Sequence, residues 1–305
     1  MSLVYLIAWL LPLLAGAAIV LAVNPARGCG WRSAAAGYGI VIGLILTAGL
    51  TALSARNDTT HAWMHAAPWL CVVAIVAAAI AWRRTSTAAP QSTAPSADES
   101  AGWKRIVLIA LLASLGLRAA IAAREVWLRP LYPWDAWAAW AVKAKTWFLL
   151  GHYVPYVSMH DWLQTSGSEV YTGLAWHYPN ALAWLDVWFA SAAGGWIEPL
   201  VNLPWLVVWI ALFFAHYGQW RALGLSNARA LLGVYVLGSL PLLTVHAAVA
   251  GYADIWIGAL FSLGVLAWMR WLQQRALGQL LLALICASSL SPALTRFCSG
   301  RNSMA

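Results

Sequence analysis

Long apolar runs dominate this sequence, and their length limits what the chain can fold into. Eight runs approach the roughly 20 residues that a helix needs to cross a bilayer, and none alternates as a half-buried strand does. Backbone groups surrounded by lipid must bond internally, so only helices fit these runs. The runs are Leu3–Val23, Tyr38–Leu53, Ala67–Trp82, Ile106–Ala123, Leu200–Tyr217, Ala230–Ala250, Tyr252–Met269 and Leu277–Leu290.

The composition supports a membrane protein. Hydrophobic residues make up 62% of the chain and charged residues only 9%, whereas a soluble domain carries about 25% charge. We therefore predict an all-α polytopic membrane protein with eight or nine spans, the ninth being the shorter run Ala181–Ala193. The excess of basic residues gives a net charge of +8. We interpret these residues as markers of cytoplasmic loops and as contacts with anionic headgroups. The sequence contains no basic run with interleaved aromatic residues of the kind that binds nucleic acid.

Two stretches interrupt the series of apolar runs. Residues 83–105 are rich in Ser, Thr, Ala and Pro and are predicted to form a flexible linker after a three-helix segment, residues 1–82. The main module, residues 106–290, contains a long loop at 124–178 that is rich in Trp and Tyr, which indicates an ordered loop with amphipathic interfacial helices. Residues 291–305 form a polar tail.

The distribution of arginine and lysine predicts the topology. Arg83, Arg84, Lys104 and Arg105 place the linker in the cytoplasm, so the next helix delivers the long loop to the outer face. The turn at Gly251–Asp254 then faces the same side. This arrangement requires the run at 181–193 to be only partly inserted or re-entrant. Asp186 within it is then interpreted as an interfacial acid.

The segment from Trp134 to Phe148 has the pattern of a helix lying on a membrane surface. On a helical wheel with Asp135 at zero, Trp137, Trp140, Ala144, Trp147 and Phe148 fall between roughly 120° and 220°. Lys143 and Lys145 flank that acid at about 80° on either side. The tryptophan face is predicted to contact lipid. Asp135 follows Pro133 and is interpreted either as a helix cap or as a catalytic base.

Other candidate sites carry weaker patterns. Asp254 opens an apolar helix, where an acid also serves as a cap. His61 and His65 have the spacing of metal ligands on a helix, but only Asp58 is available nearby, so two interfacial histidines are the preferred interpretation. The four cysteines are scattered and predict no disulfide framework or zinc site. Phosphate-binding, dinucleotide-binding and nucleophile-elbow motifs are absent from the sequence.

Three motifs in order resemble the multi-spanning glycosyltransferases of the GT-C class, which include protein O-mannosyltransferases and aminoarabinose transferase. The motifs are Tyr132-Pro133-Trp134-Asp135, His177-Tyr178-Pro179-Asn180 and Tyr252-Ala253-Asp254. The resemblance covers about residues 106–290. The second motif lacks the doubled proline of that family, and the part that follows residue 290 is short, so a truncated copy is one expectation.

The resemblance implies inverting transfer of a sugar from a polyprenyl-phosphate donor at the outer face of the inner (plasma) membrane. Asp135 would deprotonate or orient the acceptor hydroxyl, and Asp254 would position donor or acceptor. Tyr178 would contact the substrate. The lipid phosphate would be neutralised by Arg129, Lys143, Lys145 and His177. No cofactor is implied, and a divalent cation would lack a recognisable ligand set.

Three alternatives remain open. A polymerase or ligase of surface polysaccharide would also use lipid-linked sugars, although the sequence lacks a second large outer loop. A transporter or flippase would be expected to show paired repeats and broken helices. A non-catalytic membrane protein would not need Asp135 and Asp254 on one face of the bilayer.

Overall fold

The computed structural model describes residues 2–24, 28–87, 102–128, 134, 136–165 and 169–290. This part of the chain is all-α apart from one pair of two-residue parallel strands. The elements are α1 Leu3–Val23, α2 Trp31–Ser54, α3 Ala62–Thr87, α4 Gly102–Leu128, a π-helical turn Ala136–Trp140, α5 Ala141–Leu150, β1 Tyr156–Val157, α6 Met159–Gln164, β2 Tyr171–Thr172, α7 Ala181–Ala193, α8 Glu198–Ala222, α9 Asn227–Ser239, α10 Pro241–Ala248, α11 Asp254–Gln274 and α12 Leu277–Ser289.

The protein is a membrane-embedded helical bundle. Six described helices are long and apolar enough to cross a bilayer (α1, α2, α3, α4, α8 and α11), and the bent pair α9–α10 would make a seventh span. The prediction of eight or nine spans is not confirmed. The difference lies in α7 and α12, which have 13 residues each and so reach only about 20 Å at 1.5 Å per residue.

The α9–α10 pair departs from the single span predicted for 230–250. The two helices are bent by 62° relative to each other. Pro241 lacks an N–H and disfavours helical geometry at the preceding residue, and Leu240 accordingly has the extended angles φ −64° and ψ 118°. Pro12, Pro68 and Pro204, by contrast, lie inside continuous helices.

The helices form one packed body with two distinguishable ends. At the end that we call the loop end, the α2–α3 connection contacts α5, since the Thr59 amide donates to the Gly151 carbonyl at 2.9 Å. At the other, the arginine end, Arg84 donates to the Ala22 carbonyl at 2.8 Å. The described arginines of the arginine end are Arg32, Arg83, Arg84, Arg105, Arg221, Arg229, Arg270 and Arg275.

The N-terminal helices share a core with the later ones. The Tyr5 hydroxyl donates to the Leu200 carbonyl of α8 at 2.7 Å, and the Tyr38 hydroxyl donates to the Leu263 carbonyl of α11 at 2.6 Å. The first segment therefore does not stand apart from the main module. Helix continues into both sides of the predicted linker, as far as Thr87 and from Gly102, while residues 88–101 and the predicted tail lie outside the described residues.

Helix α7 begins and ends at the loop end. Its N-terminal neighbours contact α5 through Lys143, and near its C-terminus the Ser191 hydroxyl accepts from the Trp63 amide at the start of α3, 2.9 Å away. The following helix, α8, starts beside α5, where Lys145 pairs with Glu198. These contacts agree with the prediction that 181–193 is re-entrant rather than spanning.

Asp186 is enclosed by protein, with 2% of its surface exposed. The interpretation as an interfacial acid facing headgroups is therefore wrong. Its Oδ1 atom has no hydrogen-bond partner in the described structure. A carboxylate so enclosed is expensive to keep ionised.

Two of the three tryptophans of the lipid-facing surface predicted for segment 134–148, Trp140 and Trp147, are buried in protein, whereas Trp137 is 47% exposed. The Trp147 ring is buried and packs on Trp184 and Tyr153, with ring centres 4.7 and 4.9 Å apart. Its indole N–H donates to the Val154 carbonyl at 2.8 Å. The segment is also not one regular helix, because the π-helical turn at 136–140 interrupts the 100° periodicity that the wheel assumed. The prediction of a lipid-facing surface was therefore wrong for Trp140 and Trp147.

Candidate functional site

A cavity of about 400 Å³ opens at the loop end. Three segments that are distant in sequence form its rim: the π-helical turn through Trp140, the connection before α7 through Tyr178 and Pro179, and the start of α11 through Asp254. Its floor is apolar and comes from α2, α7, α11 and the end of α12. These floor residues are Ile45, Ala181, Leu182, Trp256, Ile257, Leu260 and Leu290.

Asp254 supplies the carboxylate of this cavity. It is the first residue of α11, where the positive end of the helix dipole favours a negative charge. Two thirds of its side chain is exposed (67%). The tight turn before it includes Gly251, at φ 115°, and the Tyr252 carbonyl accepts from the Trp205 indole at 2.7 Å. The carboxylate is thus held at the rim by a well-anchored backbone.

His246 lies beside Asp254 and was not identified from the sequence. Its Nε2 is 3.8 Å from Asp254 Oδ2, while its Nδ1 lies 2.8 Å from the Leu242 carbonyl. A carbonyl can only accept, so Nδ1 carries the proton and Nε2 faces the carboxylate. His246 belongs to α10, the short helix that Pro241 creates. Pro241 is the sequence feature behind this turn, but a proline alone does not predict a break, since Pro12, Pro68 and Pro204 lie inside continuous helices.

Aromatic rings form the opposite side of the cavity. Trp140 and Tyr178 have ring centres 5.2 Å apart, and His177 meets the edge of Tyr178 at 4.9 Å. Trp140 was assigned to the lipid-facing stripe in the sequence and instead lines the cavity. His177 is exposed next to it. Faces of this kind bind the apolar side of a ring while leaving polar atoms accessible.

Lys143 connects two of these segments. Its ammonium group donates to the Trp176 and Tyr178 carbonyls at 3.2 and 3.0 Å and to Asn180 Oδ1 at 3.2 Å. Only 1% of the residue is exposed, and burial lowers the pKa of the ammonium to about 8. The sequence predicted contact with a phosphate. The structure revises this prediction, because all three N–H bonds already hold the 176–180 connection.

Lys145 points away from the cavity. Its Nζ lies 3.8 Å from Glu198 Oε1 and 5.8 Å from the centre of the Trp196 ring. It therefore links α5 to the start of α8 instead of contacting the residues around Asp254. An exposed pair of this kind contributes little to stability.

Asp135 and Arg129 lie outside the described residues, so their predicted roles stay predictions. The residues on either side of Asp135 differ in exposure. Trp134 is exposed and packs edge-on against Trp137, whereas Ala136 is buried. Trp140, four positions after Ala136, reaches the cavity.

The histidine pair of the α2–α3 connection forms a hydrogen-bonded cluster. Asp58 Oδ2 lies 3.1 Å from His61 Nδ1 and 3.2 Å from His65 Nε2. In the described part of the chain, no group of three or more His, Cys, Asp or Glu side chains has the arrangement of a metal site.

Comparison of the chain with protein families, with curated proteins and with solved structures finds no match.

Proposed function

We propose that this protein is a membrane glycosyltransferase that moves a sugar from a polyprenyl-phosphate donor to a lipid, glycan or protein acceptor. One observation carries the proposal. Two of the segments that resemble GT-C motifs contribute Tyr178 and Asp254 to one cavity, although these residues lie 76 positions apart in the sequence (254 − 178), and Trp140, in the segment that follows the first motif, lines it as well.

Such a transfer needs a base, a surface for the sugar ring and room for the lipid. An acceptor hydroxyl would lose its proton to a carboxylate, Asp135 or Asp254, while its oxygen attacks the anomeric carbon of the sugar. The bond between that carbon and the phosphate oxygen breaks, and the polyprenyl phosphate leaves with the electron pair. Tyr178 and Trp140 offer surfaces for the sugar ring, and the apolar floor suits the first prenyl units.

The leaving phosphate requires positive charge near the rim. Lys143 is enclosed and Lys145 is paired with Glu198, so we assign this role to His177 and Arg129. Lys143 acts as a positioning residue, because it holds the Tyr178 carbonyl. The proposal requires no redox cofactor.

The charges favour an outer location for the site. The described acids (Asp58, Glu125, Asp161, Glu169, Asp186, Glu198 and Asp254) belong to the loop end, whereas the arginine end carries eight described arginines. Arginine-rich ends remain cytoplasmic. The cavity would then face the outside of the cytoplasmic membrane, where sugars on polyprenyl phosphate are used by this class.

The test uses the full chain reconstituted in liposomes with polyprenyl-phosphate hexoses and pentoses, each with an added acceptor membrane extract. We expect donor consumption and a glycosylated product with at least one donor. Asp254→Asn and Asp135→Asn should each lower the rate about 10²-fold or more, since they remove a base or an orienting charge.

Glu169→Gln is the matched control. Glu169 is an exposed carboxylate at the same end that pairs with His152 at 2.8 Å and does not line the cavity. This variant should keep the wild-type rate. Full activity of Asp254→Asn would overturn the site assignment, and the absence of transfer from every donor tested would overturn the function.

A transporter or flippase of lipid-linked sugars is the second candidate, because the broken helix α9–α10 is a feature of transporters. It would move the donor between leaflets in liposomes without an acceptor. Acceptor-independent movement that survives Asp254→Asn would favour this candidate over the transferase.

A further inference from the structure

A second cavity, far smaller and polar, lies at the arginine end. Helices α1, α2, α8, α11 and α12 meet around it, through residues that include Asn24, Tyr38, Gln219, Arg270 and Gln279. Its free volume is about 10 Å³, which is room for one water-sized group. None of these residues belongs to the site at the loop end.

Arg270 brings a buried positive charge to this cavity. Only 4% of the residue is exposed. Its guanidinium donates to Gln219 Oε1 at 3.1 Å and to Gln274 Oε1 at 3.2 Å, both neutral acceptors. None of the ion pairs between described residues includes Arg270. A buried charge without a counter-charge is strongly unfavourable, so this one needs compensation.

The hydrogen bonds around Arg270 have only one consistent direction. Because the guanidinium can only donate, Gln219 must present its oxygen to it. The Gln219 amide then donates to the Tyr38 hydroxyl at 2.9 Å and to Gln279 Oε1 at 3.2 Å. The Tyr38 hydroxyl in turn donates to the Leu263 carbonyl. Gln219 Oε1, the Tyr38 hydroxyl and Gln279 Oε1 thus each accept a hydrogen bond from within the network.

What remains is a donor without an acceptor. The Gln279 side-chain amide Nε2 has no partner among the described residues, and only 1% of Gln279 is exposed. The cavity therefore combines a buried cation with an unused N–H₂ group. Its unmet requirement is a negatively charged acceptor of single-atom size.

We propose that this cavity binds one small monovalent anion of the halide class, with chloride as the physiological occupant. Water would satisfy the amide but leave the charge of Arg270 uncompensated. A phosphate or a lipid headgroup has several heavy atoms, whereas the cavity has room for only one water-sized group. By binding where five helices meet, the anion stabilises the junction between the N-terminal helices and α11–α12.

Direct binding can be measured on the purified full chain in a non-ionic detergent. The ³⁵Cl NMR signal of sodium chloride should broaden in the presence of the protein, and added bromide should reverse the broadening by competition. The apparent unfolding midpoint should also rise with chloride at constant ionic strength, with gluconate as the replacement anion. At one hundred times the Kd, the folded-to-unfolded ratio is expected to rise about a hundredfold.

Gln279→Glu is the most informative variant, because it should replace the anion with a covalently attached negative charge. It places a carboxylate beside Arg270, so the protein should be as stable without chloride as the wild type is with it, and the ³⁵Cl broadening should be lost. Gln273→Glu is the matched control: the same change at an exposed position of the same end should leave both chloride effects intact.

Three outcomes would overturn the proposal. One is an unfolding midpoint that does not change between chloride and gluconate, which would mean that water fills the cavity. Another is equal chloride dependence in the wild type and Gln279→Glu. The third is stabilisation by vesicles of anionic phospholipid that is independent of chloride, which would identify a headgroup as the ligand.

Discussion

Lys143 holds the aromatic side of the cavity through one ammonium group. Replacing it with methionine removes the donor from two backbone carbonyls and from Asn180 Oδ1. Each buried acceptor left without a partner costs about 1–3 kcal/mol, so Lys143→Met should lower the unfolding midpoint in detergent and expose 176–180 to protease. Lys145→Met, two residues away with an exposed pair to Glu198, should change little. Equal effects of the two variants would contradict the assignment of Lys143 as an anchor.

The lowered pKa of Lys143 predicts that the free energy of unfolding depends on pH. Burial lowers the pKa of Lys143 from 10.5 to about 8. Between these values the unfolded chain binds the proton that the folded protein has lost, so the free energy of unfolding rises with pH. The buried tyrosines Tyr153 and Tyr156 have raised pKa values and act in the opposite direction only above pH 10.

Unfolding midpoints of the wild type and Lys143→Met at pH 7.5 and 9.5 test this expectation. The wild type should gain stability relative to the variant as the pH rises. Parallel pH profiles of the two proteins would show that Lys143 does not titrate in this range.

The sequence located some site residues and missed others for a physical reason. Asp254 and Tyr178 stand out because polar groups at the ends of apolar runs are visible in a pattern, and both line the cavity. The burial of Lys143 depends on three acceptors some 35 residues away in the chain and leaves no local signal. His246 required knowing that α10 bends away from α9.

At the scale of elements, helices α1 and α2 meet through glycine. A methyl group on Gly43 would lie 1.9 Å from the Pro12 carbonyl oxygen, and one on Gly16 would lie 1.8 Å from the Gly39 oxygen. In lipid such close backbone contact replaces the hydrophobic effect as the source of helix association. The crossing of α1 and α2 thus tolerates no added carbon.

Gly43→Ala should therefore destabilise the protein by about 1–3 kcal/mol through overpacking. Gly49→Ala, six residues later on the same helix, is the control, because its Cβ would meet no atom within 4 Å and alanine favours a helix by about 0.5–1 kcal/mol. Opposite shifts of the unfolding midpoint are expected. A Gly43→Ala protein as stable as the wild type would refute the close contact.

Helix positions could be predicted more fully than helix ends. The runs Leu3–Val23 and Ala181–Ala193 coincide with α1 and α7. Other helices extend beyond their apolar runs, as α2 does to Trp31 and α4 to Leu128, because backbone hydrogen bonding continues through residues that are too polar or small for a hydropathy signal. The break at Pro241 needed the tertiary structure, since three other prolines lie within unbroken helices.

At the scale of the whole molecule, charge separates along the bundle axis. Every described carboxylate lies at the loop end, and eight described arginines lie at the other. By the positive-inside rule, the arginine end is expected to face the cytoplasm. The separation also explains why the two cavities suit opposite ligands, a hydroxyl beside a carboxylate at one end and an anion beside an arginine at the other.

The orientation and the re-entrant path of α7 are testable together by cysteine labelling. In a background without the four native cysteines, Leu174→Cys and Ile197→Cys place exposed thiols before and after α7, and Gln273→Cys places one at the arginine end. A helix of 13 residues is about 10 Å too short to cross the hydrocarbon core. Both thiols that flank α7 should therefore react with an impermeant maleimide in intact cells.

Gln273→Cys should react only after the membrane is permeabilised, because the arginines around it hold that end in the cytoplasm. Labelling of Leu174→Cys without Ile197→Cys would mean that α7 crosses the membrane and that the contacts of Ser191 with Trp63 do not exist in the bilayer. Labelling of Gln273→Cys alone in intact cells would show that the protein has the opposite orientation in the membrane. The cavity at Asp254 would then face the cytoplasm, and the proposal of transfer at the outer face would fail even if the carboxylate proved essential.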